Sequence, residues 1–159
     1  MSILQEIPVP RAFGTIVWGG LLAGTLDAVD GVAAFRLKGM SPIQVLQYIA
    51  SGLLGVASFQ GGLKTAGLGV LLHYFIAFAV AAVYYAASLK FAPLHVRPWK
   101  WGLAYGVAVY LFMNYLVLPL SAVPKSPFSV ELFLNGVIGH AIFVGLAIAW
   151  CAHRSATAR

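Results

Sequence analysis

Two carboxylates within an apolar stretch are the first residues of this chain that could carry chemistry. The chain contains four acidic residues, and two of them, Asp27 and Asp30, fall within an apolar segment at about residues 13–35. Residues three apart lie on one side of a helix, so both carboxylates face the same way. Because a carboxylate inside a membrane is costly unless it is paired, hydrated or protonated, the pattern predicts a cation or proton site. Alternatively, the helix ends early and both acids lie among the lipid headgroups near Arg36 and Lys38.

Two histidines and an asparagine interrupt later apolar stretches. If the helices that carry the histidines run in the same direction, His73 and His140 lie about 10 Å and about 13 Å below the helix starts. Asn114, on an intervening helix of opposite direction, falls at a similar depth, so the three residues can form a polar layer. Three interpretations stay open: interhelical hydrogen bonds, a proton or ion pathway, or ligation of haem or a metal by the two histidines.

The remaining residue types limit the function. Cys151 is the sole cysteine, so an intrachain disulfide is excluded, and we predict no resident metal ion or cofactor. Nucleotide-binding loops and nucleophile motifs are absent from the sequence, so we predict that the protein is not an enzyme. The formal charge is +6, but the basic residues are spread over loops and tails, which indicates membrane topology rather than nucleic-acid binding. We expect the lipid bilayer as partner, together with a second copy of the chain or another membrane subunit.

The composition of the chain predicts that these residues lie in helices surrounded by lipid. Hydrophobic residues make up 61% of the 159-residue chain and charged residues 9%, whereas a soluble domain carries about 25% charged residues. Apolar segments near the length that crosses a bilayer as a helix fill almost the whole chain. We predict an all-α membrane bundle of five transmembrane helices in a single domain, residues 1–159, with segments at about 13–35, 43–59, 66–89, 101–121 and 130–152.

The second of these segments is the uncertain one, because it is short and partly polar. The pattern fits a crossing helix that turns its polar face to its neighbours, or an interfacial or re-entrant helix that leaves four crossings. Gln47 could also line a wet path through the bundle. The small or polar side chains recur at helical spacing along one face: Gln44, Gln47, Ser51, Gly55 and Ser58.

The basic residues predict the orientation. With five crossings, one side of the membrane holds seven basic residues, and the other holds three: Arg11, Lys64 and Lys125. Because cytoplasmic loops are enriched in Lys and Arg, this split predicts an N-terminus outside and a C-terminus in the cytoplasm. If the second segment does not cross, the split becomes six against four.

Short sequence matches indicate an internal repeat. Residues 20–24 (GLLAG) resemble residues 102–106 (GLAYG), and residues 41–45 (SPIQV) resemble residues 126–130 (SPFSV). With five crossings, a single helix separates the two hairpins, so the sequence predicts an inverted two-helix repeat, which is common in transporters. The first match also places glycines four apart, a spacing that lets membrane helices approach closely.

Longer runs of sequence carry a resemblance. Residues 46–55 (LQYIASGLLG), followed by Gly61-Gly62 and Leu72-His73, are similar to a family of small uncharacterised bacterial inner-membrane proteins. The last two segments also resemble the YagU-like inner-membrane family. Neither resemblance implies a reaction, but both imply a multi-pass protein of the bacterial plasma membrane. The second likeness is carried by three short motifs: Trp101-Gly102-Leu103, Pro119-Leu120 and Gly139-His140.

Three hypotheses for function follow from the sequence. The favoured one is translocation of an ion, a proton or a small solute, with Asp27 and Asp30 on one side of the membrane and His73, Asn114 and His140 on the other. The second is a non-catalytic accessory or assembly subunit of a membrane complex. The third is a haem-binding membrane subunit that uses the two histidines as ligands.

Overall fold

The computed structural model describes residues 9–157, and this part of the chain is a bundle of helices without a strand. Five of its helices are long and apolar enough to cross a membrane, which confirms the predicted helical bundle. A helical turn at Pro93–Val96 joins the third helix to the fourth. The five helices are α1 (Gly14–Arg36), α2 (Pro42–Gln60), α3 (Gly62–Lys90), α4 (Pro98–Leu120) and α5 (Val130–Thr157).

Glycine and capping residues determine where the second helix begins and ends. Gly39, at a φ of 87°, ends α1 in a Schellman motif, in which its own N–H donates to Arg36 and the Met40 N–H donates to Phe35. Ser41 then caps α2 through a reciprocal pair of hydrogen bonds with Gln44. A second set of glycines with positive φ divides α2 into an α-helical and a 3₁₀ part and separates it from α3: Gly55 and Gly62.

Contacts between α1 and α3 establish that these two helices are antiparallel. Gly20 lies against Phe78, and Gly24 lies against Tyr74, so α3 runs back as α1 runs forward. A hydrogen bond of 2.9 Å between the Thr25 and Tyr74 hydroxyls lies at the same level. Because α2 joins two antiparallel neighbours, it begins and ends at one end of the bundle. Of the two arrangements that the sequence left open, the contacts select four crossing helices and one re-entrant or interfacial helix.

The outer helices of the bundle, α1 and α5, are also antiparallel. At one end, the Arg11 N–H donates to the Ser155 hydroxyl at 3.1 Å, and at the other end Lys38 Nζ lies 2.9 Å from Glu131 Oε2. We call the first end, beside Ser155, the terminal end and the second, beside Glu131, the α2 end. Arg11 and Ser155 are in direct contact, so these two residues lie at the same end of the bundle, and the orientation predicted for five crossings does not apply to this arrangement.

The predicted inverted repeat is also wrong. Helix α4 is antiparallel to α5, because Gly102 lies against Ala149 and Gly106 lies against His140. Helices α1 and α4, the first members of the two matched hairpins, therefore both run from the terminal end to the α2 end. Their second members differ, because α2 stays at one end while α5 crosses the bundle. The matched glycines share a spacing of four, but Ser41 caps α2 whereas Ser126 precedes Ser129, the N-cap of α5, so the matches do not mark a repeated hairpin.

Helix α2 packs across the α2 end of the bundle. It meets α3 at Gly69, where an added Cβ would overlap the Leu46 carbonyl, and the Gly52 carbonyl accepts a hydrogen bond of 3.0 Å from Ala122 N–H. The outer faces of the other helices carry exposed apolar side chains, such as Phe75 and Leu120 at 71% and 80% exposure. Such faces suit lipid rather than water as their surroundings.

Candidate functional site

A cavity of about 190 Å³ extends from α2 to the middle of the bundle, and all five helices contribute to its walls. Most of the wall is apolar, with aliphatic side chains from every helix. Helix α2 separates the cavity from the α2 end through Tyr48, Ile49 and Gly52. The residues with polar side chains in its lining are Asp27, Tyr48, His73, Ser121 and His140.

Asp27 and His140 form a pair on the cavity wall. His140 Nδ1 lies 3.5 Å from Asp27 Oδ1, and each side chain is 22% exposed. The pair is an ion pair when the imidazole is protonated, and it is a carboxylate beside a neutral imidazole when it is not. The Tyr110 ring stands edge-on to His140 with centroids 5.3 Å apart and fixes the plane of the imidazole from α4.

His73 contributes a second imidazole to the same cavity. Its Nε2 lies 2.7 Å from the Gly24 carbonyl, so this nitrogen carries the proton that it donates to α1. In the neutral ring, Nδ1 is then a hydrogen-bond acceptor. Gly24 permits this contact because a larger side chain would meet Tyr74 and Ala77 of α3.

Asp30 is engaged differently from Asp27. Its Oδ2 accepts a hydrogen bond of 2.9 Å from Asn135 Nδ2 on α5, and it is not part of the cavity lining. The close approach of α5 at this point depends on Gly139, because an added Cβ there would meet the Asp30 carboxylate. Asp30 therefore joins two helices one turn away from the pair of Asp27 and His140.

Two of the predicted site residues lie outside the cavity. Asn114 Nδ2 donates at 3.0 Å to the Tyr110 carbonyl of its own helix. Gln47, which is 3% exposed, donates at 3.1 Å to the Gly62 carbonyl and thereby ties α2 to the start of α3. The prediction that Gln47 lines a wet path is not met, since its amide is used to join two helices.

The predicted separation of acids and histidines into two layers is wrong. It assumed that α1 and α5 run in the same direction, whereas these helices are antiparallel. Depth along α5 therefore counts from the α2 end, and His140 meets Asp27 instead of lying across the membrane from it. Three of the six predicted residues, Asp27, His73 and His140, line one cavity, and Asp30 lies beside it.

Sequence reasoning missed Tyr48 and Asn135 as parts of this region. Tyr48 lies four residues after Gln44 and three before Ser51, so its position on the polar stripe of α2 was the available signal. Asn135 is one of two asparagines inside apolar helices, but its link to Asp30 requires the antiparallel direction of α5.

Interrupted helices border the cavity on two sides. His140 is the first residue of a π-helical stretch of α5, His140–Leu146, and α4 contains a second such stretch, Met113–Val117. Single π-helical turns within α-helices are frequent at functional sites, since they redirect side chains and loosen the backbone hydrogen bonds. Both stretches contribute residues to the cavity lining, including Met113 and Val144.

The cavity suits protons and small molecules rather than a metal ion or haem. Among residues 9–157, no group of three His, Cys, Asp or Glu side chains could hold a metal ion. A cavity of about 150 Å³ holds one benzene molecule, and a haem is several times larger than that. One of the two imidazoles, His73, also uses its outer nitrogen on the Gly24 carbonyl. These residues do not fit a haem between the two histidines.

No family model, curated protein or solved structure matches this chain. The family resemblance drawn from its sequence motifs stays a prediction.

Proposed function

We propose that this membrane protein translocates a small solute and exchanges a proton at the pair of Asp27 and His140. The observation that carries the proposal is the 3.5 Å contact between these two ionisable side chains on the wall of an otherwise apolar cavity. Ionisable residues within membrane helices are costly, and where they face an internal cavity they commonly serve transport.

The chemistry of the pair supports proton exchange. A protonated His140 balances the Asp27 carboxylate, so the cavity is neutral in this region without a bound cation. Loss of the imidazole proton leaves a carboxylate whose charge a solute can balance instead. The proton state of His140 and the occupancy of the cavity are thereby coupled through one shared carboxylate.

Helix α2 is the gate in this proposal. It covers the cavity at the α2 end, and it is bordered or interrupted by glycines with positive φ: Gly39, Gly55 and Gly62. Glycine tolerates changes of backbone angle that other residues resist, so such positions can act as hinges. Movement of α2 away from Ser121 and Val123 opens the cavity at that end.

The distribution of basic residues supports an orientation with the terminal end in the cytoplasm. The bacterial plasma membrane, as the location of the protein, is what the family resemblance implies. Among the described residues, the α2 end carries four basic residues. The sequence-based count for four crossings, which includes Arg159 outside the described residues, is six against four. The five described basic residues near the terminal end are Arg11, Lys90, Arg97, Lys100 and Arg154.

Proton flux in liposomes tests the proposed function. The purified protein is reconstituted with a trapped pH-sensitive dye, and three solutes of similar shape but different charge are added outside in turn: benzylamine, benzyl alcohol and benzoate. We expect at least one of them to move protons faster than in protein-free liposomes. We expect Asp27→Asn and His140→Ala to reduce that rate at least about tenfold, because the exchangeable proton or its partner is lost.

Glu131→Gln is the matched control, since it makes the same change of carboxylate to amide at an exposed site at the α2 end. It should leave the rate unchanged. If the wild-type protein accelerates proton movement with none of the three solutes, translocation is excluded and the accessory-subunit hypothesis is favoured. Equal rates in wild type and both cavity variants would remove the pair of Asp27 and His140 from the transport step.

A further inference from the structure

The size of the cavity suits a molecule somewhat larger than benzene. An apolar protein cavity of about 150 Å³ binds benzene, so the about 190 Å³ found here accommodates one ring or a branched alkyl group with a short substituent. The walls next to Ile76, Val109 and Val144 are apolar, and they suit the hydrocarbon part of such a molecule.

The polar groups in the cavity favour a ligand that donates hydrogen bonds and carries positive charge. Asp27 offers a carboxylate, and His73 offers an acceptor nitrogen when its ring is neutral, because its other nitrogen donates to Gly24. Within residues 9–157, the cavity lining contains no lysine or arginine. An anionic ligand would therefore meet the Asp27 charge without a permanent cation to offset it.

We propose that the cavity binds a small apolar primary amine as its ammonium ion, and that the ammonium replaces the His140 proton as the partner of Asp27. The inference concerns binding of the amine. Transport of the bound amine would rest on the proposed function. The exchange conserves charge, because an ion pair of Asp27 and protonated His140 becomes an ion pair of Asp27 and the ammonium. In this step His140 loses one proton and becomes neutral. Binding of the amine therefore releases a proton to solvent.

The groups around the pair are consistent with this exchange. Asp30 on α1 is held by Asn135 of α5, so its carboxylate is already engaged. His73 on α3 and Tyr48 on α2 face the same cavity, and Tyr110 on α4 contacts the His140 ring. Among these neighbours, His73 is the other imidazole, and a proton added to its ring would oppose amine binding in the same direction as a proton on His140.

Calorimetric titration of the protein in lipid nanodiscs tests the inference, with empty nanodiscs as the blank. Benzylamine, benzyl alcohol and benzoate are the probes, because they share a ring and differ in charge. We expect benzylamine to bind at least about tenfold more tightly than benzyl alcohol, and benzoate not to bind. Titration in two buffers of different ionisation enthalpy should give release of up to one proton per benzylamine bound.

Variants distinguish the role of the carboxylate from a loss of folding. Asp27→Asn should lower benzylamine affinity at least about tenfold and abolish proton release, while benzyl alcohol affinity stays unchanged and reports an intact cavity. Glu131→Gln should change neither. Benzoate or benzyl alcohol binding as tightly as benzylamine would overturn the inference, as would benzylamine binding without proton release.

The two proposals can fail separately. If benzylamine binds with proton release but is not translocated in liposomes, the proposed function is removed and the ligand class is kept. Proton-coupled flux driven by benzyl alcohol or benzoate instead of benzylamine would keep the function and remove the amine.

Discussion

Two aspartates three residues apart on α1 have different surroundings. Asp27 faces the cavity beside His140 at 3.5 Å, whereas Asp30 accepts a hydrogen bond of 2.9 Å from Asn135 outside the cavity lining. The first can exchange its partner, because a cavity adjoins it. The second is fixed between two helices. Ligand and proton chemistry is therefore proposed for Asp27, whereas the hydrogen bond of Asp30 joins two helices.

Removal of the amide that binds Asp30 should destabilise the bundle. Asn135→Ala leaves the Asp30 carboxylate without its interhelical donor, and we expect the free energy of unfolding in detergent to fall by about 1–2 kcal/mol. Asn114→Ala is the control, because the Asn114 amide bonds a carbonyl of its own helix. A fall that is as large for Asn114→Ala as for Asn135→Ala would contradict the assignment.

Residue types could be predicted from the sequence, but their partners could not. Ionisable side chains inside apolar helices are rare, so Asp27, His73 and His140 can be recognised from the sequence. Which of them touch depends on the directions of α1 and α5. That information lies in contacts between residues more than one hundred positions apart, as between Asp27 and His140.

At the scale of elements, the tightest helix contact in the site is between α4 and α5. An added Cβ at Gly106 would overlap the His140 carbonyl, and one at Gly145 would overlap the Gly102 carbonyl. The contact therefore holds the start of the π-helical stretch that carries His140. Glycines four apart on α4 predicted this approach, because small residues let membrane helices meet at the backbone.

Enlargement of a glycine in this contact should separate the two helices. Gly106→Ala forces α4 away from His140, and we expect it to lower the free energy of unfolding by about 1–3 kcal/mol and to weaken ligand binding at the cavity. Gly67→Ala on α3 is the matched control, because its added Cβ meets nothing within 4 Å. Stability of Gly67→Ala should be unchanged or raised by up to about 1 kcal/mol. Equal stability of Gly106→Ala and wild type would contradict the close contact.

Helix positions followed from hydropathy and breaker residues, but the course of α2 did not. The predicted segments overlap the observed helices, although α3 begins at Gly62 and α5 extends to Thr157. The polar stripe of α2 packs equally well whether the helix crosses or returns. Buried Gln47 and Ser51 satisfy their hydrogen bonds locally, with Gly62 and Tyr48, so the sequence of α2 alone does not distinguish the two courses.

At the scale of the whole molecule, the bundle has four crossing helices and one helix that closes an end. This arrangement brings both ends of the described chain to the terminal end and the loop between α4 and α5 to the α2 end. The charge count misled the sequence prediction, because ten basic residues are few and reassignment of one segment changes the split from seven against three to six against four.

The pair of Asp27 and His140 depends on the antiparallel arrangement of α1 and α5. Protease accessibility of epitope tags in right-side-out and inverted membrane vesicles measures this directly. One tag is placed at each chain end and a third beside Lys125 in the loop between α4 and α5. We expect the two terminal tags to be digested in the same vesicle preparation and the loop tag in the other. Digestion of the two terminal tags in opposite preparations would contradict it.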